Sequence, residues 1–148
     1  MTSPDSTPTD ARQRLEDEAA CVRLCVDFAH HLDARRYGPV LDLFTDDGVL
    51  DRMGTVFAGR AELDRFLAAR STAFTTRHLC TNIRVDFDGD DAATGSCYVL
   101  FFQGSNEKEA APSIAQAAPS VVEYHDRFER TAAGWRIRER RIRMAVQA

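Results

Sequence analysis

Asp33 is the residue whose setting in the sequence most strongly suggests a site, and His78 is a second residue with acid–base chemistry whose setting alone suggests one less strongly. Asp33 continues a helical stripe of apolar positions that includes Val26. A carboxylate on such a stripe loses its hydration unless a partner bonds to it, and in a pocket it can orient a base or move a proton. The alternative is a position at the frayed helix end, bonded near the surface to Arg36 or Tyr37.

His78 belongs to a segment with strand character. The apolar residues Leu79, Ile83, Val85 and Phe87 share one strand phase, and His78 lies in the other phase. That other phase faces solvent, a partner chain or a pocket. Histidine exchanges protons near neutral pH, so at a pocket wall it can serve as a general base or acid.

Other charged residues are interpreted as structural. His125 alternates with the inward-facing residues of its strand and is expected to face outward. Asp126 is expected to form an ion pair with an arginine of the last strand, one of Arg138, Arg140 or Arg141. Asp51 and Arg52 are expected to form a surface ion pair, although they could also supply a charge to a pocket.

Helices dominate the first half of the predicted structure. Periodicity and turn signals place them at residues 12–35, 37–44 and 59–70. The apolar stripe of the first helix consists of Leu15, Ala19, Val22, Val26 and Ala29. A turn at 45–48 and a pair of short strands at 49–58, bent at Gly54, separate the second helix from the third.

Long strands dominate the second half. They are predicted at residues 75–88, 92–103, 120–130 and 135–146, and Asp-Gly-Asp-Asp and Thr-Ala-Ala-Gly turns join them as hairpins. Trp135 and Ile137 take one phase of the last strand, whereas Ile142 and Met144 take the other, as a bulge would produce.

Helices followed by antiparallel strands predict an α+β fold, with the helices on one face of a curved sheet and a cavity between the layers. Residues 1–10 have the composition of a disordered tail, which leaves 11–148 as one domain. Residues 104–119, rich in Ala, Ser and Pro, are predicted as a flexible insert.

Composition excludes several classes of protein. The 148 residues carry a formal net charge of -4 without a concentrated basic face, which argues against nucleic-acid binding. There is no apolar run long enough to span a bilayer and no signal-peptide core, so a cytoplasmic protein with no membrane partner is expected. The four cysteines are interpreted as reduced, buried residues.

Five features, taken in order, carry a family resemblance. They are Asp33 before a short aromatic-bearing helix, 43–48 (Leu-Phe-Thr-Asp-Asp-Gly), 76–82 (Thr-Arg-His-Leu-Cys-Thr-Asn), 124–128 (Tyr-His-Asp-Arg-Phe) and 134–137 (Gly-Trp-Arg-Ile). From about Ala11 onward the chain resembles the SnoaL-like polyketide cyclase and scytalone dehydratase-like branch of the nuclear-transport-factor-2-like superfamily. The resemblance implies a cone-shaped, curved antiparallel sheet with three N-terminal helices enclosing an apolar pocket, a homodimer, and no metal or organic cofactor.

The resemblance also implies an acid–base pair formed by Asp33 and His78. A histidine held by a carboxylate keeps one tautomer, so its free nitrogen can take a proton next to a carbonyl and return it elsewhere. Donors that could bind the substrate and stabilise an oxyanion are Tyr37, Asn82, Tyr98 and Tyr124. Dehydratase-like members carry a further His or Asp in the stretch that corresponds to 98–103, and this chain has none there.

The expected function is a cofactor-independent acid–base enzyme, a dehydratase, isomerase or cyclase that acts on a small hydrophobic cyclic substrate. The alternative is a non-catalytic small-molecule-binding protein, or an accessory subunit resembling a ring-hydroxylating dioxygenase β subunit. Apolar residues on both phases of residues 79–87 and 99–102 predict a homodimer through the open sheet face.

Overall fold

The computed structural model of the chain describes residues 8–106 and 119–147. Within these residues the elements follow in the order α1 (Pro8–Asp33), α2 (Tyr37–Leu41), β1 (Phe44–Arg52), β2 (Thr55–Ala58), α3 (Arg60–Ala68), β3 (Phe74–Asp88), β4 (Ala92–Ser105), β5 (Ser120–Thr131) and β6 (Gly134–Val146). This arrangement confirms the predicted α+β class. Among the described residues, no helix is long and apolar enough to cross a membrane.

The ends of several elements differ from the prediction. The first helix begins at Pro8, a residue type that suits the first helical turn because it has no backbone N–H to leave unpaired. Residues 8–10 are therefore helical and not part of a tail. At the start of the predicted insert, β4 continues to Ser105. The backbone N–H of Asn106 then donates to the carbonyl of Ala73 at 2.9 Å. The rest of the insert, 107–118, lies outside the described residues.

The inward face of α1 is not the predicted stripe. Leu15 and Val26 are 68% and 46% exposed. The face that packs on the sheet consists of Asp17, Cys21, Leu24, Cys25, Phe28 and Leu32, and of the predicted stripe only Ala29 is buried. It lies about one position further round the helix and carries the bulkier side chains, whose burial removes more apolar area from water.

The sheet has six strands in the order β2-β1-β6-β5-β4-β3. The last four strands form the predicted antiparallel meander, and both predicted hairpins are present. One pair departs from the prediction, because β1 joins β6 in parallel. The long connection through β2, α3 and the other strands makes a parallel neighbour possible. Residues 45–48, predicted as a turn, lie within β1 beside a register shift between Phe44 and Val49.

Two bulges set which side chains face the concave side. In β6 the pairing passes from Ile137 to Glu139 without Arg138, which confirms the predicted change of phase. In β3 the register shifts between Thr81 and Arg84. This second bulge places His78 on the same side as the half-buried Ile83, so the sequence-based separation of their phases was wrong.

The core lies between α1 and the concave sheet face. At its centre, Arg140 and Asp126 form a salt bridge of 2.6 Å in which neither side chain is exposed, as the predicted pairing of Asp126 required. The guanidinium of Arg140 also lies 4.4 Å from the ring centroid of Phe28 and 4.3 Å from that of Tyr124. The cysteines are free, and all are buried except Cys80, which is half-buried.

Candidate active site

A cavity of about 340 Å³ opens between the C-terminal end of α1, α3 and the concave face of the sheet. Its walls are mostly apolar and include Phe28, Leu32, Phe66, Phe74, Phe101 and Ile142. This size and lining are typical of a site for a small organic molecule. His78 is part of the wall.

Asp33 holds His78 from behind. The Oδ1 atom of Asp33 lies 2.6 Å from Nδ1 of the imidazole, and the backbone N–H of His78 donates to Oδ2 at 2.8 Å. The hydroxyl of Thr76 donates to Oδ1 at 2.9 Å. The side chains of His78 and Asp33 are only 9% and 12% exposed. The structure thus joins two residues that lie 45 positions apart in the sequence.

The hydrogen bonds determine the charge state of Asp33. Burial alone would raise the pKa of its carboxyl, but the donors from His78 and Thr76 outweigh burial and hold the pKa below its ordinary value. An ionised carboxylate only accepts hydrogen bonds, so Nδ1 of His78 carries the proton. In the neutral ring, Nε2 is then left with a lone pair. The ring packs against Phe101, with 4.9 Å between the ring centroids.

The end of α1 positions this pair through Arg35. Arg35 adopts a left-handed backbone conformation, with φ of 57°, just after the last helical residue. Its guanidinium donates to the backbone carbonyls of Ser71 at 2.8 Å and Phe74 at 2.5 Å. These bonds fix the start of β3 to the end of α1, where Thr76 and His78 follow on one side of the strand.

Comparison with known proteins identifies the family. Residues 13–141 match the family described as the SnoaL-like domain. The chain belongs to this family. It is 29% identical over 126 residues to an uncharacterized protein of Mycobacterium tuberculosis. The aligned residues make up 83% of this chain and 82% of that protein.

Solved structures share the fold of this chain. A candidate scytalone dehydratase from Novosphingobium aromaticivorans superposes with a TM-score of 0.79 at 20% identity, covering 93% of this chain and 90% of that one. A hexachlorocyclohexane dehydrochlorinase, LinA-type3 from Novosphingobium barchaimii, gives the same TM-score and identity, with coverage of 93% and 92%. At this identity the likeness shows a shared fold, and the resemblance inferred from the sequence is confirmed.

The predicted binding residues of this SnoaL-like domain fall into two groups. Tyr124 lines the cavity, and burial raises the pKa of its phenol above the ordinary value, which keeps the hydroxyl protonated. Tyr37 is not a lining residue; it packs against the core, and its hydroxyl accepts a 3.4 Å hydrogen bond from Arg35.

Tyr98 and Asn82 are likewise not at the cavity. Tyr98 is 47% exposed, because its neighbours Cys97 and Val99 occupy the inward phase of β4. Asn82 is exposed at the bulge of β3, with φ of 52°, and the bulge turns it away from the side that holds His78. Neither side chain can contact a ligand beside His78.

The interpretation of Asp51 and Arg52 also needs correction. Asp51 forms its ion pair with Arg143, at 2.5 Å, and Arg52 points into the cavity. Adjacent residues of a strand face opposite sides, so a mutual surface pair was not available to them.

Sequence reasoning missed several polar residues of the cavity. Arg35, Arg70 and Gln103 line it, and Phe101 and Gln103 lie in the stretch where dehydratase-like members carry an additional His or Asp. None of these side chains stands in an unusual local pattern, so only the tertiary structure could find them.

Among the described residues, no group of three or more His, Cys, Asp or Glu side chains is arranged to hold a metal ion.

Proposed function

We propose that this protein is a cofactor-independent acid–base enzyme, a lyase or an isomerase/cyclase, that removes a proton next to a carbonyl of a small hydrophobic cyclic substrate. The observation that supports this proposal is the 2.6 Å contact between Asp33 and His78 at the wall of an apolar cavity. A carboxylate that fixes the tautomer of a histidine is the arrangement that general base catalysis needs.

The proposed reaction begins with proton transfer to His78. Nε2 takes the proton from the carbon next to the carbonyl, and the electron pair of the broken C–H bond moves to form an enolate. Asp33 stabilises the imidazolium that results, because its charge faces Nδ1–H. The hydroxyl of Tyr124 is the candidate donor to the enolate oxygen, since it lines the same cavity and remains protonated.

The fate of the enolate separates the possible reactions. In an elimination it expels a leaving group on the neighbouring carbon, and His78 returns the proton to a leaving oxygen. In an isomerisation the proton returns to another carbon. In a cyclisation the enolate carbon attacks a second carbonyl, and the new alkoxide takes the proton. The apolar part of the wall beside His78, which includes Phe101, limits the water that would compete for it.

The names of two structural neighbours, a dehydrochlorinase and a candidate dehydratase, support elimination as one of these outcomes. The reaction of scytalone dehydratase itself is not proposed, because Phe101 and Gln103 occupy the cavity wall where a further acid or histidine would be expected.

We also propose that the protein is a homodimer through the outer face of its sheet. Leu79 and Tyr98 on this face are 51% and 47% exposed, and large apolar side chains in a patch are typical of an interface. Sedimentation at micromolar concentration tests the proposal, and a strictly monomeric species would contradict it.

A hydrogen-exchange experiment tests the proposed chemistry without knowledge of the natural substrate. The protein is incubated in D₂O with 1-indanone, 1-tetralone and 2-tetralone, and loss of the proton next to the carbonyl is followed by NMR. We expect exchange at least about 10-fold above buffer for one of the ketones, since a positioned base contributes about 10²–10⁴-fold.

The control variants separate the site from the rest of the protein. His78→Ala is expected to return exchange to the buffer rate. His125→Ala, which removes an exposed histidine paired with Glu123, is expected to leave it unchanged. Ketones that bind but exchange no faster than in buffer would favour the non-catalytic binding protein or accessory subunit.

A further inference from the structure

The cavity is positively charged in an acidic protein. Three arginines line it, Arg35, Arg52 and Arg70, and its lining contains no aspartate or glutamate. Within the described part of the chain, no carboxylate lies within 4.0 Å of any of these three guanidiniums, although the chain as a whole has a net charge of -4.

Several arginines elsewhere in the fold, and above all the buried Arg140, are neutralised by carboxylates. Arg140 pairs with Asp126 in the core, Arg130 with Asp17, and Arg138 with Asp47. A half-buried guanidinium without a counter-ion, such as that of Arg70, loses part of its hydration, and an anion from outside the protein can compensate for this loss.

Arg35 and Arg70 differ in their hydrogen bonds. The guanidinium of Arg35 donates to the carbonyls of Ser71 and Phe74, so it holds the segment between α3 and β3 in place. The Nε atom of Arg70 is buried and has no hydrogen-bond partner among the described residues. Its Nη2 atom makes only a long contact, of 3.4 Å, to the hydroxyl of Thr76. Arg70 therefore lines the cavity with one buried N–H group that has no partner and one that is only weakly bonded, so its guanidinium is available for an acceptor.

Arg70 is also linked to the acid–base pair. The hydroxyl of Thr76, which Arg70 contacts, donates to Asp33, and Asp33 holds His78. An anion bound at Arg70 consequently lies on the side of the cavity where the proposed proton transfer takes place.

We propose that the substrate is a cyclic carboxylic acid whose carboxylate is bound by Arg70, with Arg52 adding a second positive charge at the exposed side of the cavity. The planar edge of a guanidinium matches the two oxygens of a carboxylate, and the apolar walls accept the ring system. This inference rests on the proposed function for the identification of the cavity as the substrate site. Arg70 is then the residue that selects acids over neutral rings of the same shape.

Binding of two matched ligands tests the inference in the full-length chain. 2-Naphthoate and 2-naphthamide have the same ring system and differ chiefly in charge. Calorimetry at pH 7.5 is expected to show naphthoate bound about 10- to 100-fold more tightly, the span for a charge-assisted hydrogen-bonded pair. Arg70→Met is expected to abolish this preference and to leave naphthamide affinity within about 2-fold.

A matched variant controls for the change in overall charge. Arg84→Met removes an exposed arginine of β3 and should leave the preference unchanged. Arg70→Lys keeps the charge without the planar edge and should give an intermediate ratio, which preserves the test if Arg70→Met fails to fold. 2-Naphthol serves as a weaker acid of the same shape, and it should behave like the amide at this pH.

The inference would be overturned by equal affinity for naphthoate and naphthamide, or by dissociation constants above about 1 mM for both. A preference for naphthoate that survives Arg70→Met would also overturn it. The outcome is separable from that of the proposed function. His78→Ala should abolish ketone exchange while keeping the preference for naphthoate. A wild-type protein that exchanges ketones without preferring naphthoate would overturn this inference alone, and one that prefers naphthoate without exchanging ketones would overturn the proposed function alone.

Discussion

The two ends of α1 each place one aspartate against the sheet, and the two have different partners. Asp17 accepts hydrogen bonds from the indole N–H of Trp135 at 3.0 Å and from Arg130 at 2.6 Å. Asp33 accepts from His78 and Thr76. For both carboxyls burial alone would raise the pKa, and in both the hydrogen bonds outweigh it and lower the pKa.

The difference lies in what the partner can do. The indole and the guanidinium beside Asp17 keep their protons at any physiological pH, so that end of the helix can only be held in place. The imidazole beside Asp33 can exchange a proton, and it forms part of a cavity wall. Burial of an aspartate therefore does not by itself indicate a functional site, whereas a partner that can exchange a proton does.

The largest expected effect falls on the proposed site. His78→Ala and Asp33→Asn should each lower the rate of ketone exchange by on the order of 10²–10⁴, because the base is removed or its tautomer is no longer fixed. Asp33→Asn should also lower the free energy of unfolding by about 1–3 kcal/mol, since an amide cannot accept at both positions that now accept from His78 and Thr76. Exchange NMR and urea unfolding measure the two quantities, and a large loss of stability with normal exchange would assign Asp33 to the same class as Asp17.

The opposite pattern is expected at the other end of α1. Asp17→Ala should lower the free energy of unfolding by about 2–4 kcal/mol, because it leaves the indole N–H of Trp135 without its acceptor and removes the carboxylate that binds Nη2 of Arg130. Ketone exchange per folded molecule should match the wild type. Urea unfolding followed by tryptophan fluorescence reports the change, and an Asp17→Ala protein that is fully stable but inactive would reverse the comparison.

Local patterns in the sequence were enough for the strands and hairpins, because alternation and turn residues act over a few positions. The face of α1 was not predictable in this way, since several stripes were similar in hydrophobicity and only packing against the sheet selects the one with Phe28. Asp33 was identified although the predicted inward stripe of α1 was wrong, because Asp33 lies at the edge of the face that packs on the sheet. The predicted orientation of His78 relative to Ile83 was wrong for a different reason. The bulge beside Asn82 reverses which residues of β3 face the concave side. The cavity arginines come from three separate segments, so no local signal brings them together.

Acid should weaken both ends of the helix. Because the folded pKa values of Asp17 and Asp33 lie below the unfolded value of about 3.9, their contribution is fully present above that pH and is lost as pH falls through the folded pKa values. Asp17→Asn lacks this contribution, so its melting temperature should decline less steeply than that of the wild type between about pH 5 and pH 2.5. Parallel declines in the two proteins would show that Asp17 is not stabilised as an anion.

The smallest effect is expected at Thr76. Thr76→Val removes one donor to Asp33 but keeps the contact with His78, so exchange should fall by about 2- to 10-fold, the equivalent of one hydrogen bond. Thr81→Val, at an exposed position of the same strand, provides the control. A loss as large as that of Asp33→Asn would mean that Thr76 and not the carboxylate orients the imidazole.

The most direct test of the central claim, that Asp33 and His78 act as one unit, is the ketone-exchange rate of the double variant Asp33→Asn/His78→Ala beside the two single variants. Residues that act together are strongly non-additive, so the double variant should be within about 3-fold of His78→Ala alone. An Asp33→Asn variant that exchanges at the wild-type rate while His78→Ala falls to the buffer rate, or single variants that both exchange at the wild-type rate, would contradict the claim.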